Sequence, residues 1–183
     1  MFAVNRIATT YAESASVWAI RFALILMVGV LILEAFGKSK IDRSLATSWF
    51  IGAVLSLCHS AGALATFHQG SQSLAFQATE EQTKELLGIQ IGAGLFVNYA
   101  FVLVWIADAC IRLFIPARYC QFPAAYALSV QSFLVFIAIN GAIVFQQGWT
   151  RWIGILCVVS WLIVIAYQRS RRGPRPRGGR LLD

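Results

Sequence analysis

"VWAIRFALILMVGVLILEAF", residues 17–36, decides the fold class. It holds two ionisable groups, Arg21 near its start and Glu34 near its end, around an unbroken apolar run. Twenty residues rising 1.5 Å each cover roughly 30 Å, the hydrocarbon thickness of a bilayer. The strict alternation that a transmembrane barrel strand needs is absent, so the segment reads as a helix.

Four more stretches have the same character, and the sequence predicts spans at 17–36, 48–69, 86–112, 124–146 and 152–168. The composition agrees. Only 13 % of the 183 residues are charged against about a quarter in soluble domains, and the mean hydropathy is +0.69. So short a chain has no core volume in which to hide that much apolar side chain. The expectation is an all-α polytopic bundle over 1–168 with a basic, structureless tail at 169–183. The start, "MFAVNRIATTYAESASVW", is a poor match to a cleavable signal, with one basic and one acidic residue before the first apolar run.

Orientation follows from the basic residues of the short loops. Lys38, Lys40, Arg43, Arg112 and Arg118 fall on one side together with the tail arginines Arg169, Arg171, Arg172, Arg175, Arg177 and Arg180. Arg6, Arg21, Lys84 and Arg151 fall on the other. This eleven-to-four bias places the amino terminus outside and the carboxyl terminus in the cytoplasm, in a bacterial inner membrane. The net charge of +7 does not suggest nucleic acid, because it is placed as a topology signal. The Gly, Pro and Arg tail suits anionic lipid or a neighbouring subunit.

Between the second and third spans, "ATEEQTKELLG" offers Thr79 and Gln82 at capping-box spacing, with Glu80 and Glu81 in the first turn. The third helix is therefore expected to begin near Thr79. Trp18, Trp149 and Trp152 at the outer rim and Trp49 and Tyr119 at the inner one read as an aromatic belt, and Arg21 as a residue snorkelling outward. At the inner rim Glu34 with Lys38 and Asp108 with Arg112 have the i, i+4 spacing of exposed helical ion pairs that fix helix depth.

Polar groups inside the bilayer turn toward the bundle interior or toward function. A stripe of Gly52, Ser56, His59, Ala63 and Thr66 runs along the second span, and Ile91, Gly94, Asn98, Phe101 and Trp105 along the third. The fourth offers Ser129, Ser132, Phe136, Asn140 and Gln147. Asn98 lies eleven residues past Leu87, or ~16 Å deep, so His59 and Asn98 share one level, and a hydrogen-bonded seam through Ser56, His59, Asn98 and Asn140 is expected.

The only histidines are His59 and His68, nine residues and half a turn apart, so one helix cannot clamp a haem between them. Haem b or quinone at His59 would need a second ligand from another chain. His68 with Glu80 and Glu81 is a weak set for a divalent ion. Cys58, Cys110, Cys120 and Cys157 form no CxxC, and the Walker, dinucleotide, HExxH and GxSxG signatures are missing. An autonomous enzyme is disfavoured. The leading expectation is an accessory or structural subunit of a larger membrane assembly, in contact with other subunits or a second copy. An oligomeric channel or transporter, and a redox module built on His59, are the alternatives.

Overall fold

The computed structural model describes residues 2–141 and a set of helical positions between 151 and 166. Among them there is no strand. The elements are α1 Phe2–Ala35, α2 Arg43–Phe67, α3 Gln72–Leu87, α4 Gly94–Phe114, α5 Pro116–Tyr119 and α6 Ala124–Ile139. Among the described residues three segments are long and apolar enough to cross a membrane: Ser14–Ala35, Arg43–Phe67 and Gly94–Phe114. The 16-residue α6 is apolar but shorter, and residues 142–146 of the expected fourth span lie outside the described set.

Capping chemistry sets the boundaries. Gly37, at φ +93, closes α1: its N–H reaches the Glu34 carbonyl and that of Lys38 the Leu33 carbonyl. Such a left-handed closure satisfies carbonyls the helix leaves open. Five residues after Gly37, Asp42 caps α2, its Oδ1 accepting from the N–H groups of Ser44 (3.0 Å) and Leu45 (3.4 Å). Short reversals of this kind make α1 and α2 an antiparallel hairpin. α4 packs on α2, and α6 on α4.

The third span does not begin at Thr79. Ser71 caps α3, its Oγ accepting from the Leu74 N–H, and Thr79 lies mid-helix with its hydroxyl donating to the Ala75 carbonyl. α3 then stops at Gly88, φ +72, and the chain restarts as α4 at Gly94. The expected single helix over 86–112 is thus two elements. A capping-box spacing carries no weight where a serine eight residues upstream already caps the helix and a glycine ends it.

The core joins Ala23, Met27 and Leu31 of α1, Trp49 and Ala53 of α2, Phe101 and Trp105 of α4, and Leu134 and Val135 of α6. The small-residue stripe of α2 works as expected at Gly52. A Cβ there would lie 2.9 Å from Trp105 Cζ2, so the missing side chain lets the indole lie against the α2 backbone. α6 turns differently from expectation. Ser129 is exposed and Phe136 is 62 % exposed, while Leu134, Val135, Ile137 and Ala138 are buried.

Candidate functional site

The charged residues gather at the end of the bundle that carries the α1–α2 turn and α5, here the basic end. Glu34 stands in the last turn of α1, Trp49 about two turns into α2, and Asp108 and Arg112 in the last two turns of α4. Arg112 and Asp108 are each 1 % exposed. Arg112 Nη1 donates to Glu34 Oε1 at 2.7 Å, and Nη2 to the Tyr119 hydroxyl at 3.3 Å. The guanidinium lies over two rings, 4.9 Å from the Trp49 centroid and 5.3 Å from that of Tyr119. Gln131 of α6 donates from Nε2 to Glu34 Oε2 at 2.7 Å, and Trp49 Nε1 donates to Asp108 Oδ2 at 2.9 Å. One knot therefore ties α1, α2, α4, α5 and α6 together.

Of the two expected ion pairs, Asp108 with Arg112 is present and Glu34 with Lys38 is replaced. Asp108 and Arg112 are neighbours, but Nε and Oδ2 stand 4.0 Å apart, too far for a hydrogen bond. Glu34 does not pair with Lys38, because the reversal at Gly37 takes Lys38 off the helix before the i, i+4 geometry can form. Its partner is Arg112, across the bundle. Nor are the groups exposed at a rim. Trp49 and Tyr119, expected in an aromatic belt, are buried walls of the knot. Trp49 is six residues into α2, roughly 9 Å, a depth hidden by the expected span start at 48. Gln131 lies seven residues into both α6 and the expected fourth span, and a polar amide at that depth is the signal that marks it.

Lys40, in the α1–α2 turn, faces this cluster. Burial holds its ammonium below the usual lysine value; Arg112 lowers it further, and Glu34 and Asp108 oppose. Burial likewise pushes the Tyr119 phenol up, with Arg112 opposing. Beside the knot a cleft of about 410 Å³ is lined by Ile41, Arg43, Ala46, Thr47, Arg112, Leu113, Phe114 and Pro116.

The expected seam does not form. His59 is half-buried, and Nδ1 sits 2.9 Å from the Ser16 carbonyl oxygen of α1 and 3.1 Å from its hydroxyl. A carbonyl only accepts, so Nδ1 carries the proton and Nε2 the lone pair. The Ser16 hydroxyl in turn donates to the His59 carbonyl at 3.2 Å. Asn98 is exposed. Because α4 begins at Gly94, Asn98 is only four residues in, roughly 6 Å rather than the ~16 Å inferred from a start at Leu87. Ser56 is buried. Asn140 Nδ2 bonds within its own helix, to the Phe136 carbonyl at 2.8 Å.

His68 ends α2, and among the described residues no group of three or more His, Cys, Asp or Glu is placed to hold a metal, so His68, Glu80 and Glu81 form no such set. Trp18 and Trp152 are exposed, as the belt reading expects, and the Arg21 guanidinium lies 4.9 Å from the Trp18 centroid. Trp149, Gln147 and all six tail arginines lie outside the described residues. No family model, curated protein or solved structure matches the chain.

Proposed function

We propose that the chain is a small inner-membrane protein with five crossings, outside amino terminus and cytoplasmic carboxyl terminus, that serves as a subunit of a larger membrane assembly. The supporting observation is Asn98. Its amide stands exposed about one turn inside α4, beside Phe96 (62 % exposed) and Val97, with no hydrogen-bond partner among the described residues. A primary amide facing hydrocarbon is unfavourable, and a neighbouring transmembrane helix with a polar group relieves it. The anionic headgroups attracted to the six tail arginines complete the set of partners in this reading.

A photocrosslinking amino acid placed at position 98, in cells, tests the reading directly. An adduct with another membrane chain is expected, and Asn98→Leu is expected to strip that chain from the gently solubilised protein. Adducts with lipid alone would defeat it; an adduct with a second copy would recast the assembly as a homo-oligomer. The same preparation tests a second reading, a redox module at His59. That reading draws on Nε2, left with its lone pair by the Ser16 contact and so chemically suited to a haem iron when another chain supplies the opposite ligand. A Soret band abolished by His59→Ala would favour it.

A further inference from the structure

The cleft of about 410 Å³ at the basic end lies between the first turn of α2 and the end of α4, and its lining has two chemistries. Arg43 and Thr47 supply a polar side, and Ile41, Phe114 and Pro116 an apolar one. Ile41 is 40 % and Phe114 64 % exposed, so the apolar side is open rather than packed. Arg43 is the exposed cation of the cleft, and no carboxylate among the described residues pairs with it. Its chain neighbour Asp42 is engaged in capping, Oδ1 accepting from the Ser44 hydroxyl at 2.6 Å as well as from two backbone N–H groups. Arg112 also lines the cleft, but its Nη1 and Nη2 are held by Glu34 and Tyr119, so it contributes charge rather than a free fork. Counting the exposed residues of this end, the cations Lys38, Lys40, Arg43, Arg112 and Arg118 outnumber the carboxylates Glu34, Asp42 and Asp108. The first turn of α2 adds the positive end of a helix dipole. The complement of such a cleft is an anion.

Position selects the kind of anion. The membrane-length helix α4 ends at Phe114, so the cleft stands where such a helix leaves hydrocarbon for headgroups. A free ion leaves the exposed Ile41 and Phe114 uncovered, whereas a phospholipid joins a phosphate to glycerol and acyl carbons that cover them. We infer that the cleft holds one anionic phospholipid, its phosphate on the Arg43 guanidinium and its glycerol and upper acyl carbons against Ile41, Phe114 and Pro116. A guanidinium fork matches two phosphate oxygens at once. The volume falls within the roughly 300–1,000 Å³ of small-ligand clefts. This is a built site for one lipid, separate from the diffuse attraction of the tail arginines. It rests on the membrane-crossing reading of the chain and is independent of its role as a subunit.

Native mass spectrometry of the detergent-solubilised full chain, titrated with phosphatidylglycerol or phosphatidylcholine, tests the site. One saturable phosphatidylglycerol adduct is expected, about tenfold or more tighter than phosphatidylcholine, as a charge-assisted contact implies. Arg43→Gln should abolish the preference, and Arg43→Lys should restore only part of it. Equal binding of the two lipids would overturn the inference. So would a preference that survives Arg43→Gln, which would assign the lipid to the tail arginines. Inorganic phosphate at equal concentration is expected to leave the adduct in place; displacement would make the occupant a free phosphate and sink the lipid assignment. Should Arg43→Gln lose its helical circular dichroism, Phe114→Ser serves instead: it should weaken the phosphatidylglycerol adduct, and unchanged binding would count against the site. A chain recovered without detergent would defeat the membrane reading underneath, a result separate from all of these lipid outcomes.

Discussion

The two ends of the bundle hold their helices together by opposite means. At the basic end five elements meet on one buried arginine, with carboxylates, an amide and aromatic rings arranged around it. At the other end, where α3 lies between Phe67 and Gly94, the contacts come from backbone approach. Phe76 packs on Gly92, where a Cβ would overlap its ring, Thr79 faces Gly94, and the Tyr99 hydroxyl donates to Gln72 at 2.5 Å. Charge can be buried at the first end because every formal charge there has an opposite within the same cluster. The second end needs no charge because glycine lets surfaces close by themselves. The basic end is fixed by mutual electrostatic dependence and the α3 end by local shape.

That contrast can be broken experimentally, most severely at Arg112. Arg112→Met strands Glu34 and Asp108 without their cation, and breaking a buried pair costs about 3–5 kcal/mol. Thermal unfolding in nanodiscs followed by circular dichroism should register the loss, and Arg112→Lys should restore little of it, because a point charge cannot hold Glu34 and Tyr119 at once. A variant as stable as the parent would mean the knot is incidental. The shape-fixed end should respond less. Gly92→Ala forces the half-buried Phe76 ring aside and is expected to cost about 1 kcal/mol, at the low end of overpacking penalties, with α1 and α2 untouched. Hydrogen exchange localised to α3 would confirm this, and protection lost across α1 and α2 would refute it.

The smallest effect is in the α1–α2 turn. The Ser44 hydroxyl and the Leu45 N–H hold the Asp42 carboxyl below its ordinary 3.8. A carboxyl depressed in the folded state contributes stability that is present above its unfolded value and lost as pH falls through the folded one. The chain should therefore lose a little stability in an acid titration below 3.8, and Asp42→Asn should flatten that limb without changing stability's trend near neutrality.

Much of the candidate site lay within reach of the sequence. Glu34, Asp108 and Arg112 stand out as ionisable residues in apolar helices, and the spacing of Asp108 and Arg112 marks them as neighbours. The sequence could not reveal that Glu34 abandons Lys38 for Arg112, because that depends on Gly37 adopting a left-handed turn and on α4 arriving beside α1. Likewise the pairing of His59 with Asn98 rested on one wrong helix start. Counting from Gly94 rather than from Leu87 raises Asn98 toward the surface, where it is exposed, while Ser16, lying before the first expected span, takes its place beside His59.

By itself, the sequence determined that this chain is helical and suited to lipid, because apolar runs of bilayer length and the scarcity of charge are properties of composition and need no knowledge of neighbours. Only the tertiary structure decided which polar groups meet. Partnership among buried charges depends on the rotation and ending of each helix to within a fraction of a turn, and a single glycine or cap, as at Gly37, Ser71 and Gly88, resets both.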